Sequence, residues 1–161
     1  IRRDMYDAMV DQSAAAGAFG HGYTYSGHPV ACAVALKVLE IYQRDDIFAK
    51  AAVTGEYMQK RLAEFKDHPL VGEVRGRGLL GAIELVANKA TGQAFVGGAV
   101  GGFAQKAAQD NGLLLRAVAG SSLGFCPPLI ITTAQIDEII EKTAIALDVT
   151  LDHCVREKLL V

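Results

Sequence analysis

The sequence predicts an α+β fold: a mostly antiparallel sheet with helices packed on one face, preceded by an irregular arm. Three observations predict it. Apolar residues recur at helical spacing in three separate segments, and two β-rich runs flank a Gly-Arg-Gly turn. Two further short apolar runs end abruptly, one on Arg116 and one on Pro127-Pro128. The chain has 161 residues, 51% of them hydrophobic. A chain of about 150 residues can bury roughly 70% of its unfolded surface, enough for a core.

Residues Ile1 to Val10 read as helix or linker, and Ser13 to Gly27, rich in Ala, Gly, Ser and aromatics, reads as loop. Pro29 suits the first turn of a helix whose stripe is Ala31, Val34, Ala35, Val38, Leu39 and Tyr42. Asp45 or Asp46 can cap a second helix, with Ala51, Met58, Leu62 and Phe65 buried and His68-Pro69 ending it. Leu70 to Arg75 and Leu79 to Val86 read as strands, the second apolar on both faces except at Glu84. Gly92 to Gly102 reads as a flexible glycine-rich loop, and Phe103 to Asp110 as a short helix stopped by Asn111-Gly112. Leu113 to Leu115 and Leu123 to Cys126 complete the strands. Thr132 and Gln135 fit a capping box, opening a helix that buries Ile136, Ile139, Ile140, Leu147, Leu151 and Cys154.

Composition excludes several functions. A formal net charge of -2, with the basic residues scattered, gives no attraction to nucleic acid or to an anionic membrane. No apolar run nears the roughly 20 residues that span a bilayer. Cys32, Cys126 and Cys154 are widely spaced, with no CxxC or Cys/His cluster, so neither a disulfide framework nor a metal site is expected. The expected location is a reducing cytoplasm. The chain starts at Ile1 and its first methionine is Met5, so it reads as a piece of a longer protein.

Gly76-Arg77-Gly78-Leu79-Leu80-Gly81 matches GxGxxG, but a strand pattern follows it where a dinucleotide site needs a helix N-terminus for the pyrophosphate. It reads as a tight turn. Gly97 to Gly102 lacks the Lys-Ser/Thr ending of a phosphate loop. The segment His21-Gly22-Tyr23-Thr24-Tyr25-Ser26-Gly27-His28-Pro29 is more pointed, because hydroxyls and loop N–H groups are natural neutral ligands of phosphate. A purely structural loop is the alternative. Arg116 closes an apolar run, and its planar fork suits a carboxylate. There the alternative is a structural ion pair.

Together these motifs resemble one family. His21 to Ala31 resembles the HG-x-TYSGHP-x-A signature of class III aminotransferases, and Arg75 to Leu85 resembles their RGxGLxxGIEL strand-turn-strand. Gly112-Leu113-Leu114-Leu115-Arg116, with Pro127 to Thr132, resembles their C-terminal substrate arm and last helix cap. The resemblance implies the C-terminal small domain of a fold-type I pyridoxal-phosphate (PLP) transferase, of the ω-amino acid:pyruvate type. Residues 1–28 would be the tail of the large PLP-binding domain and residues 29–161 the small domain. It implies an obligate homodimer acting on small-molecule amines and keto acids. Thr24, helped by Tyr23, would bind the cofactor phosphate of the neighbouring subunit, and Arg116 the substrate carboxylate. The Schiff-base lysine would lie upstream, so this piece alone is expected to be inactive. An aminomutase or decarboxylase of the same family is the alternative reading, as is a free-standing α+β binding or regulatory module.

Overall fold

The computed structural model describes residues 1–17 and 19–161; Ala18, in the stretch read as loop, lies outside the described residues. The chain divides into two compact units, Ile1–Ile41 and Tyr42–Val161.

In the first unit Ile1 to Val10, read as helix or linker, is helical from Arg3, and no helix is described between Gly17 and His28. Helix α1 spans Arg3–Ala16. Its first turns are tied by an Arg3–Asp7 ion pair at 3.0 Å, one turn apart. Three alanines, Ala14 to Ala16, then carry it into the first residues of the stretch read as loop. Gly17, at φ 82°, ends it and donates its N–H to Ser13 O. Composition alone had pointed to loop there because alanine has no periodic apolar signature. Helix α2 (Pro29–Arg44) starts at its proline as expected, but its apolar stripe stays exposed, Val34 and Leu39 at 58% and 53%.

The second unit opens with α3 (Ile47–Leu62). Asp46 occupies the N-cap position but makes no capping bond, because it is left-handed at φ 48°, and Asp45 is engaged bidentately by Arg44 at 2.6 and 2.7 Å. A 3-10 turn (Ala63–Asp67) carries buried Phe65 to the His68-Pro69 stop. Strands β1 (Val71–Arg77) and β2 (Leu80–Asn88) follow, then the two-residue β3 (Gln93–Ala94), helix α4 (Ala99–Asp110), β4 (Arg116–Val118), β5 (Ser122–Phe125) and α5 (Thr133–Arg156). The sheet order is β1-β2-β5-β4, with β3 beside β2, and every pairing is antiparallel.

Register sets the two faces, since directly paired residues project to the same side. Gly76, Gly81 and Phe125 share a side with Val74, Ile83, Leu123 and Ala117. That side carries the helices: a Cβ on Gly81 would meet Leu62 of α3, and Gly101 of α4 sits against Ala117. Met58, Leu62, Ile83, Leu123, Ile136 and Leu147 form the centre of the core, each no more than 1% exposed. Full burial of one such side chain is worth about 1.5–3 kcal/mol.

The glycines of the GxGxxG match have a packing role. Gly78, at φ 57°, opens the two-residue turn that joins β1 to β2. Helix α3 lies directly on this hairpin. A Cβ at Gly55 would fall 2.6 Å from Gly78 Cα, and one at Gly76 would fall 2.4 Å from Leu80 O. Gln59 Nε2 then donates to Gly78 O at 2.8 Å and to Leu80 O at 3.0 Å. Contact this close requires glycine.

Several elements differ from expectation: β3 falls in the stretch read as a glycine-rich loop, and Leu113 to Leu115, read as a strand, lies outside any strand. Helix α4 begins at Ala99, four residues before Phe103, so Gly101 and Gly102 are helical rather than part of a loop. Gly101 lies against Gly120 and Ser121, where its missing Cβ would sit 2.7 Å from Gly120 O. Arg116 begins a strand rather than ending one. Gln59-like side-chain bonding recurs there, Gln105 of α4 accepting the Ala117 N–H at 2.7 Å. The capping box of α5 is present, with Thr132 Oγ1 accepting the Gln135 N–H at 3.3 Å and Gln135 Oε1 accepting the Thr132 N–H at 3.0 Å.

Candidate functional site

The segment before α2 folds into consecutive tight turns. Ser26 donates its N–H to Tyr23 O at 2.9 Å, while its Oγ accepts the Tyr23 N–H at 3.0 Å. His28 N–H then bonds to Tyr25 O at 3.1 Å, with Gly27 at φ 73°. Serine thus clips the turn at both ends. Thr24 is left at its apex, exposed, and its hydroxyl makes no hydrogen bond among the described residues. The N–H groups of Thr24 and Tyr25 are likewise unused by the turn. Three neutral donors on adjacent residues, with no carboxylate bonded to them, form a set that suits a phosphate. Tyr23, 74% exposed, stacks edge-on to His21 at 5.4 Å. Tyr23 and Thr24 are therefore neighbours on one turn, within the first unit.

Arg116 belongs to the second unit and lines a groove of about 870 Å³. The groove runs between the segment Gly112 to Arg116, the end of β5 with Pro127 and Pro128, and the first half of α5. Leu114, Phe125, Ile130 and Ile139 make its lining mostly apolar. Its ionisable side chains with fixed charge are Arg116, Glu138 and Lys142. Lys142 is occupied, Nζ lying 2.6 Å from Glu138 and 3.3 Å from Gly112 O. Arg116 has no carboxylate partner among the described residues. An unpaired guanidinium beside an apolar groove is suited to a carboxylate held by two parallel hydrogen bonds.

Sequence reasoning did not single out Lys142, Glu138 or Gly124, all of which line the groove. The four-residue spacing of Glu138 and Lys142 was a readable signal for a helix-surface pair. Gly124 gave none, because its place opposite Arg116 depends on strand register. Among the described residues no group of His, Cys, Asp and Glu could hold a metal ion, and no helix is long and apolar enough to cross a membrane.

Comparison with known proteins bears on this arrangement. The family described as aminotransferase class-III matches residues 5–147. The putrescine–pyruvate aminotransferase of Pseudomonas aeruginosa is 46% identical over 145 residues, covering 89% of this chain and 32% of that protein. The diaminobutyrate–2-oxoglutarate transaminase of Halomonas elongata is 42% identical over 144 residues, covering 88% of this chain and 31% of that protein. Among solved structures, the ω-transaminase of Pseudomonas jessenii in complex with PMP superposes with a TM-score of 0.83 at 41% identity, covering 94% of this chain and 34% of that one. A transaminase with L-Ala gives 0.84 at 42% identity, with 95% and 36% covered. The chain thus spans about a third of the length of the relatives it matches. By sequence over most of its length and by its α+β fold, the chain belongs to the class III aminotransferase family.

Proposed function

We propose that the whole protein is a PLP-dependent aminotransferase, moving an amino group from an amine or ω-amino acid to a keto acid such as pyruvate. Residues 1–28 belong in this reading to the large cofactor-binding domain, and residues 29–161 form the small domain. The observation that carries it is Arg116, an arginine without a carboxylate partner beside a mostly apolar groove. The names of the relatives support the reaction class, pairing amines and amino acids with keto acids. When bound, PLP supplies the electron sink for the carbon–nitrogen chemistry. This chain's own contribution is positional. The Thr24 hydroxyl, with the N–H groups of Thr24 and Tyr25 and with Tyr23 alongside, binds the cofactor phosphate across a homodimer. Arg116 grips the carboxylate of the keto acid or amino acid, and the apolar lining excludes water around the carbon chain.

The test is Arg116→Ala in the whole protein, with each half-reaction followed separately by stopped-flow absorbance. Loss of a bidentate, charge-assisted contact lowers kcat/KM for pyruvate by about 2–4 kcal/mol, roughly 30- to 700-fold. An amine donor without a carboxylate changes by less than about tenfold, because it makes no such contact. Equal losses for both would mean that Arg116 only supports the small domain.

A further inference from the structure

We infer that Gln105 is a positioning residue for Arg116: its side chain ties α4 to the backbone of β4 and so fixes where the guanidinium meets the groove. This deepens the assignment of Arg116 to the substrate carboxylate and rests on that reading. Strand β4 is three residues long and lies at the edge of the sheet, with β5 as its one strand neighbour. A strand so short, paired on one side, is weakly held by its ladder alone. The second hold comes from α4, where Gln105 Oε1 accepts the Ala117 N–H at 2.7 Å. That donor belongs to the residue directly after Arg116, so the bond acts next to the arginine's own backbone.

Gly101 places the helix for this contact. It lies one turn before Gln105 on the same face of α4. A Cβ on Gly101 would fall 2.7 Å from Gly120 O and 3.5 Å from the Ala117 Cβ, so glycine lets α4 settle onto β4 and the turn after it. Gln105, half-buried, then reaches the strand.

The same helix leads into the groove. From Asn111 the chain runs through Gly112 to Leu115, one wall of the groove, directly into Arg116. The start of that wall is fixed: Leu113 donates its N–H to Ala108 O at 2.9 Å, and Lys142 Nζ lies 3.3 Å from Gly112 O. The Gln105–Ala117 bond fixes its end, closing residues 106–116 into a loop tied at both ends. A carboxylate held by two parallel hydrogen bonds needs its guanidinium in one place, and a displacement of about 1 Å is enough to lose much of that contact. A substrate without a carboxylate makes no such demand. Covering the edge of β4 against a strand of another chain is the plainer role for Gln105, and that role would leave substrate choice untouched.

The experiment uses the whole protein with Gln105→Met, Gln105→Glu, Arg116→Ala, and Gln105→Met combined with Arg116→Ala. Methionine keeps the length and helix propensity of glutamine but is a poor acceptor, whereas glutamate keeps the acceptor. The amino-donor half-reaction is followed by stopped-flow absorbance for β-alanine and for 1-aminobutane, giving a half-saturating concentration and a limiting rate for each. Gln105→Met should raise the half-saturating concentration of β-alanine about tenfold, with its limiting rate and both constants for 1-aminobutane within about twofold of the parent. Gln105→Glu should restore β-alanine to within about threefold, and Gln105→Met should add less than about twofold once Arg116 is alanine. Thermal midpoints report folding, and Gln105→Asn, too short to reach Ala117, replaces methionine if that variant fails to fold. Unchanged constants in folded Gln105 variants, or equal losses for both donors, overturn this inference; if Arg116→Ala still selectively damages β-alanine, the Arg116 assignment stands. A selective loss that persists without Arg116 also overturns it, since Gln105 would then shape the groove directly. Arg116→Ala without a selective effect on β-alanine overturns the assignment, and this inference with it.

Discussion

His68 is held as an acceptor, its Nδ1 receiving the Leu70 N–H at 3.2 Å while Nε2 lies 3.4 Å from Asp148 Oδ1. Burial pushes its pKa below the ordinary 6.5; the Asp148 carboxylate opposes this without cancelling it, and the Lys89 charge adds to the lowering. The unfolded chain therefore takes up this proton at higher pH than the folded one. The stabilisation is complete above about pH 6.5 and is lost as pH falls toward the folded value. The thermal midpoint should drop over that window, and His68→Asn, whose Oδ1 can replace Nδ1 as acceptor, should flatten the drop. An identical pH profile in the variant would remove His68 from the account. Thr24 presents a different case, an exposed hydroxyl not held by the turn that presents it. In the whole protein Thr24→Ala should weaken PLP binding by about 1.5–3 kcal/mol, roughly 10- to 150-fold, while the preference among amino donors changes little. An unchanged cofactor dissociation constant would place the phosphate elsewhere.

Adjacent glycines in α4 test how far an element is governed by its surroundings. A Cβ on Gly101 would strike Gly120 O at 2.7 Å and Ser121 Cα at 2.8 Å, both backbone atoms that cannot rotate away. A Cβ on Gly102 would meet nothing within 4 Å. Alanine favours a helix over glycine by about 1 kcal/mol, whereas overpacking a tight contact costs about 1–3 kcal/mol. Gly102→Ala should therefore raise the denaturant midpoint and Gly101→Ala should lower it. Shifts of the same sign would count against the α4–β4/β5 packing. The same pair shows what the sequence could and could not reveal. Propensity marks both glycines as loop, and at Gly102 nothing local contradicts it. The contact that explains Gly101 reaches across the fold to residues 120 and 121. Elements with local signatures were legible: the Thr132–Gln135 box, the α5 stripe, and the strands around Gly78. At the site, Thr24 and Arg116 stood out as chemistry in unusual settings. Gly124 did not, because a glycine in a strand acquires meaning only from its cross-strand neighbour.

Across the whole molecule burial is unevenly shared. Ile1–Ile41 contains two helices yet no buried residue among those described, and Met5, Val10, Val30, Val34 and Leu39 all remain exposed. Tyr42–Val161 contains every residue of the core. Helices of 14 and 16 residues are marginal in water without an apolar face to bury. Local opening of α1 and of the first three turns of α2 should therefore cost little free energy. The amides of β2, β5 and α5, by contrast, should exchange mainly through global unfolding. Hydrogen exchange on the 161-residue chain should show this as a division near residue 41, with protection factors of roughly ten or less before it. In the central strands protection should reach about 10³ or more, as expected for a domain of several kcal/mol stability. Raising protein concentration is the informative control. Protection that appears in α1 and α2 only at high concentration would mean that their exposed apolar residues have found a second copy. Strong protection at every concentration would contradict the absence of buried residues in this unit, and with it the division of stability drawn from the structure.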